Sequence, residues 1–135
     1  MINVDVVCDY KLWSKKIKNH EIFFNTLVKF FPKKYKFIGK KMNLTILLSN
    51  NKNIKKLNKD FRNKNKPTDV LSFPFEKKFN PKKSKYLGDI VISYEFMNKP
   101  KNHPYLKKDL LLGLVFFSVK RKIKNNEKVK KLIIK

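Results

Sequence analysis

Cysteine, histidine, glycine and acidic side chains are all scarce in this chain. The single cysteine, Cys8, cannot form an internal disulfide and sits in an apolar run, which predicts a buried, inert thiol. With no disulfide framework there is no argument for secretion. The two histidines, His20 and His103, are isolated, and neither has a partner at metal-ligand spacing. Long hydrophobic runs are missing as well. The longest spans residues 110–119, is interrupted by Gly113 and Ser118, and is too short to cross a bilayer. Residues 1–10 alternate in polarity and carry Asp5 and Asp9, unlike a signal peptide. The expected setting is therefore a bacterial cytoplasm or an organelle matrix, with no membrane partner. No internal repeat, low-complexity linker or shift in composition marks a domain boundary.

What the chain does have is aromatic side chains and positive charge. At 135 residues with 41% hydrophobic side chains, including twelve Phe, five Tyr and one Trp, it can bury one modest core. Lys and Arg number 34 against 10 Asp and Glu, a formal charge of +24. A domain so charged repels itself and is most stable beside a polyanion such as RNA, DNA or an anionic surface. An A+T-rich coding sequence, which favours Lys, Asn, Ile and Phe, accounts for part of that excess.

Alternation of Ile2, Val4 and Val6 with Asn3 and Asp5 predicts an opening strand with one buried face. Asn19 is placed to cap a helix over residues 20–31, whose apolar stripe would be Phe23, Leu27, Phe30 and Phe31 and which Pro32 ends. A second strand is expected over 43–49. Asn50 and Asn51 then turn the chain into a helix with Ile54, Leu57 and Phe61 on one face. Strands over 70–75 and 87–93 follow, separated by a Lys- and Pro-containing loop over 76–85. An irregular stretch with Pro100 and Pro104 precedes a helix over 106–119. The pattern predicts an α+β fold, a single mixed four-stranded sheet with helices packed against it. The expected organisation is one domain over 1–119 and a basic C-terminal tail over 120–135.

The chemistry concentrates in residues 57–75, LNKDFRNKNKPTDVLSFPF, and 87–92, LGDIVI. Arg62 and Lys64 fall at the end of a helix, Lys66 and Pro67 in a loop, and Thr68 and Asp69 at the entry to a buried strand. Taken singly, each has a structural explanation: Arg62 complements a helix dipole, and Asp69 caps or turns through Thr68. Together they resemble the signature of the YbeY family of rRNA-maturation endoribonucleases. Leu57-Asn58, Arg62, the block 66–74 and Gly88-Asp89-Ile90 carry the resemblance, which covers about residues 44–93. It implies a YbeY-like α+β fold and a role in rRNA processing and small-subunit maturation, with rRNA or pre-rRNA and the small ribosomal subunit as partners. It also implies a single catalytic metal, usually zinc, and places Arg62 beside the active cleft.

The family also carries a His-Gly-x-x-His pair on a helix, with a third His six residues later. Histidines four apart share a helical face, and the third completes a site with one open position for an activated water. Aligning on Gly113 puts Leu112, Phe116 and Lys122 at those positions, so no zinc is expected in this chain. The candidate RNA-binding residues are Arg62, Lys64 and Lys66, with Lys120, Arg121, Lys122 and Lys124 of the basic segment. That segment reads either as a solvated terminus or as a phosphate-binding surface. Three functions are compatible with this pattern: a catalytically impaired rRNA-binding maturation factor; an active metal-dependent, single-strand-specific endoribonuclease whose motif is hidden by a frame error in the coding region for 104–122; and a structural ribosome-associated protein.

Overall fold

The computed structural model describes residues 1–73, 85–98 and 108–124, with the side chains of 108–110 and 121–124 outside that description. Strands β1 (Ile2–Cys8), β2 (Met42–Ser49), β3 (Val70–Phe73) and β4 (Tyr86–Ser93) form one sheet in the order β1-β2-β4-β3. β1 pairs parallel to β2 and β2 parallel to β4, while β3 runs antiparallel along the outer side of β4. The mixed four-stranded sheet expected from the sequence is present.

Side-chain alternation divides the sheet between two cores. Ile2, Val4, Leu44, Ile46, Leu48, Ile90 and Ile92 enter the main core, which also takes Trp13, Phe24, Leu27, Val28 and Phe31 from the N-terminal helices and Leu111, Val115 and Val119 from the last one. Leu47, Leu71, Phe73 and Val91 face the other way and meet Ile54 and Leu57. Helices α1 (Trp13–Lys16), α2 (His20–Leu27) and α5 (Lys108–Lys124) therefore share one face of the sheet, and α3 (Asn51–Arg62) covers the other. A short α4 (Tyr94–Met97) follows β4 and buries Tyr94 and Met97.

Local signals explain most of the boundaries. Asn19 Oδ1 accepts the Ile22 N–H at 3.0 Å, and Asn50 Oδ1 accepts that of Asn53 at 2.9 Å, so both predicted asparagine caps form. The β2–β4 register slips between Asn43 and Leu44, where Asn43 pairs with Tyr86 and Leu44 with Gly88. Leu87 is the extra residue of this bulge, and Gly88 holds a φ of +119°, a backbone region closed to residues with a Cβ. The bulge turns Tyr86 onto the same face as Asp89 and Thr45, and its hydroxyl hydrogen-bonds to both. Partial burial, followed by the adjacent Asp89 carboxylate, raises the Tyr86 phenol above the ordinary tyrosine pKa.

Several expectations need correction. The second helix ends at Leu27 and continues as a 3-10 turn over Val28–Phe30. Its buried line is Phe24, Leu27, Val28 and Phe31, while Phe30 is 70% exposed and Phe23 half-buried. The expected stripe shares Leu27 and Phe31 with the observed line, which takes Phe24 and Val28 in place of Phe23 and Phe30. On α3 the buried pair is Ile54 and Asn58, and Phe61 is exposed with its ring edge-on to Phe73 at 5.4 Å. Cys8 is half-buried and its thiol donates to the Tyr10 carbonyl at 3.3 Å. The last helix runs on to Lys124, past Val119, with Leu111, Val115 and Val119 at helical spacing against the core. The loop over 76–84, the Pro100–Pro104 stretch with His103, and the tail beyond 124 lie outside the described residues.

β1 is an edge strand, and α2 blocks its free side. Asn25 Oδ1 accepts the Val4 N–H and Asn25 Nδ2 donates to the Val4 carbonyl, each at 2.9 Å. Glu21 Oε1 accepts the Val6 N–H at 3.0 Å. Replacing Asn25 by Leu should therefore leave two strand groups without partners and lower stability by about 1–3 kcal/mol. It should also promote self-association through the uncovered edge. Denaturant unfolding together with size-exclusion chromatography measures both effects.

Candidate nucleic-acid interface

An open depression of about 390 Å3 lies between the end of α3, the following loop, the start of β3 and α5. Asn58, Arg62, Lys64, Lys66, Thr68 and Asp69 line one side, and Leu114, Phe117 and Ser118 line the other. The volume falls in the range of about 300–1,000 Å3 that suits a small ligand or one unit of a polymer.

The loop is built by the way α3 stops. Asn63 takes a left-handed conformation at φ 56°, ψ 29°, which asparagine tolerates better than most residues. The chain then folds back on the helix: the Lys64 N–H donates to the Asn58 carbonyl at 3.2 Å, and the Lys66 N–H to the Lys64 carbonyl at 2.9 Å. The buried Asn58 amide donates to the Lys66 carbonyl at 3.0 Å and closes the loop. Pro67 disfavours a helical conformation at Lys66, so the chain does not resume the helix there. Arg62, Lys64 and Lys66, all exposed, are thereby gathered at one opening. Asp69 anchors the strand entry, accepting from the Thr68 hydroxyl at 3.2 Å and from the Val70 N–H at 2.8 Å, while its carbonyl accepts the Ser93 N–H at 2.9 Å. Arg62 also donates from Nη2 to the Ser72 carbonyl on β3 at 3.2 Å, a structural contact beyond the helix-dipole one expected from the sequence.

Of the other candidate cations, Lys120 is half-buried on α5 and is not part of the lining. Arg121, Lys122 and Lys124 belong to the last turns of α5, with side chains outside the described residues. The sequence reading names Asn58 only as part of the family signature, with no role in the site, and misses Phe117. A buried asparagine on an otherwise basic helix gives no periodic signal, and a phenylalanine inside an apolar run looks like core.

A family model described as Endoribonuclease YbeY matches residues 8–108, about three quarters of the chain. The chain belongs to the YbeY family. Curated relatives with the name Endoribonuclease YbeY include one from Pelagibacter ubique strain HTCC1062, 85% identical over 102 residues, which cover 76% of this chain and 67% of that protein. Another, from Ehrlichia ruminantium strain Gardel, is 40% identical over 95 residues, covering 70% of this chain and 57% of the relative. The matched part thus spans roughly three fifths to two thirds of these relatives' lengths. The solution structure of TM1509 from Thermotoga maritima superposes with a TM-score of 0.50 over 98% of this chain and 87% of that one, at 23% identity, and supports the fold.

The YbeY family is generally metal-dependent, and Leu112, Phe116 and Lys122 stand at the positions aligned with its histidines. Leu112 and Phe116 are half-buried and pack on the main core. The Phe116 ring stands edge-on to Phe31 at 5.3 Å and to Tyr35 at 5.2 Å. Neither position supplies a donor atom, and neither is among the residues that line the basic depression. Lys122 is the third position, its side chain outside the described residues. Among the described residues no three His, Cys, Asp or Glu side chains lie close enough to share a metal. His20 starts α2 as expected, with its Nε2 buried and without a hydrogen-bond partner among the described residues. These residues do not fit a zinc site at the aligned positions. Elemental analysis of the tag-free protein is expected to find no stoichiometric zinc; one zinc per chain, lost on chelation, would show that other residues hold it.

Proposed function

We propose that this chain is a ribosome-maturation factor that binds single-stranded regions of rRNA or pre-rRNA through the depression beside α3. The observation that carries the reading is the convergence of Arg62, Lys64 and Lys66 on one opening in a YbeY-family chain. A planar guanidinium can take a phosphate through two parallel hydrogen bonds, and the two ammonium groups neutralise its neighbours. Lys120, Arg121, Lys122 and Lys124, near or within the end of α5, extend the positive field. The small ribosomal subunit, met in the cytoplasm, is the proposed partner. In this reading the chain holds RNA without hydrolysing it, because the aligned positions on α5 pack as core instead of presenting metal donors.

One observation favours a second reading, an active metal-dependent endoribonuclease. Identity to the Pelagibacter relative is 85% over 102 residues, while the family match stops at residue 108, where the helix with the aligned positions begins. A frame change in the coding region for residues 104–135 produces that pattern. Resequencing the gene separates the two readings, since a restored three-histidine motif would overturn the first. A purely structural ribosome-associated role is distinguished by co-purification with small subunits that resists high salt.

The binding reading sets a salt dependence and assigns part of it to Arg62. Affinity for a short single-stranded RNA should fall steeply with salt, with a log–log slope of about 0.7 per neutralised phosphate. Arg62→Ala should weaken binding and reduce that slope by roughly one contact, while stability drops by no more than about 1 kcal/mol for the exposed bond to Ser72 and the dipole contact. A flat salt response in the wild type, or an Arg62→Ala protein that binds normally but melts earlier, would contradict the assignment.

A further inference from the structure

We infer that Phe117 is a base-stacking platform at the mouth of the basic depression, so that a single nucleotide is held with its base on this ring and its flanking phosphates on Arg62, Lys64 and Lys66. The inference rests on the RNA-binding reading above and adds how a base is recognised. Phe117 is 59% exposed, whereas Leu111, Val115 and Val119 on the same helix are buried. The ring lines the cavity that the three cations also line. An exposed phenylalanine is unremarkable by itself; one that shares a pocket wall with an arginine and two lysines has the composition of a single-strand site. Such sites pair a cationic track for phosphates with aromatic faces for bases, and stacking tolerates any base because each has a π-face.

The ring is also held by its neighbours. Its centroid lies 5.8 Å from that of Phe116, which in turn stands edge-on to Phe31 and Tyr35. A chain of aromatic contacts thus links the platform to the main core before any ligand arrives. Phe61, the other strongly exposed phenylalanine near α3, is edge-on to Phe73 and takes no part in the cavity wall. A second copy of this chain is a poor occupant, since each carries a formal charge of +24.

The test uses the full chain, a fluorescent 12-nucleotide oligouridine, an abasic oligomer of the same length and anionic phospholipid vesicles. Phe117→Ala should weaken oligouridine binding about 5- to 150-fold, the equivalent of roughly 1–3 kcal/mol per stacked base. Its salt slope should match the wild type, because no phosphate contact is removed. On the abasic oligomer the variant and the wild type should bind alike. Phe117→Trp should keep its affinity and show emission quenched by oligouridine, against the constant background of the buried Trp13 in the wild type. Wild-type affinity in Phe117→Ala, unquenched emission in Phe117→Trp, or an equal loss on the abasic oligomer would each overturn the platform while leaving RNA binding by the cations intact. So would an affinity loss confined to vesicles. If the wild type binds no oligouridine at low salt, the RNA reading and the platform fall together.

Discussion

The parallel pairing of β2 with β4 is the constraint on which the rest of the molecule depends. These are the two inner strands, and their register sets Leu44, Ile46 and Leu48 beside Gly88, Ile90 and Ile92. Because side chains alternate, that single register decides which residues enter the core under α1, α2 and α5 and which enter the one under α3. A slip of one residue would drive Asn43 and Thr45 into the main core. β3 hangs on the outer side of β4, so the entry to β3, and with it the Thr68–Asp69 corner of the basic depression, inherits its position from the same pairing.

The recognisable family motif serves two purposes that its spelling does not separate. Gly88 is needed by the backbone of the bulge and Asp69 by the turn into β3, with its carbonyl fixed to Ser93. Asn58 is needed to close the loop. Arg62, Lys64 and Lys66 are the part that meets solvent. A chain can thus retain the whole motif as scaffold and still alter what α5 presents opposite it.

Strand positions and helix caps were legible in the sequence because each depends on near neighbours: alternation for β1 and β2, an asparagine side chain reaching three residues on for α2 and α3. The full buried line of α2 was not. With apolar residues at 22, 23, 24, 27, 28, 30 and 31, more than one stripe satisfies helical spacing, and the change to a 3-10 turn after Leu27 rotates the end of the segment. The edge-blocking role of Asn25 and Glu21 was equally hidden, since their partners lie 21 and 15 residues away on β1. Half of the site was readable, the half carried by a contiguous run after α3. The other half comes from α5 some fifty residues later, and only tertiary packing reveals that Phe117 and not Phe116 faces the cations.

The Asn58 clamp has a consequence for the timing of recognition. Loops that order only on contact surrender conformational freedom at the moment of binding, and their association slows accordingly. Here the turn from Asn63 to Lys66 is already fastened to α3 by a buried amide and by backbone bonds, so its entropy was lost during folding. A polyanion bound as proposed would meet a backbone already in place, with only the exposed lysine side chains left to order. Encounter can then be governed by long-range attraction and diffusion, with discrimination deferred to how quickly each ligand leaves.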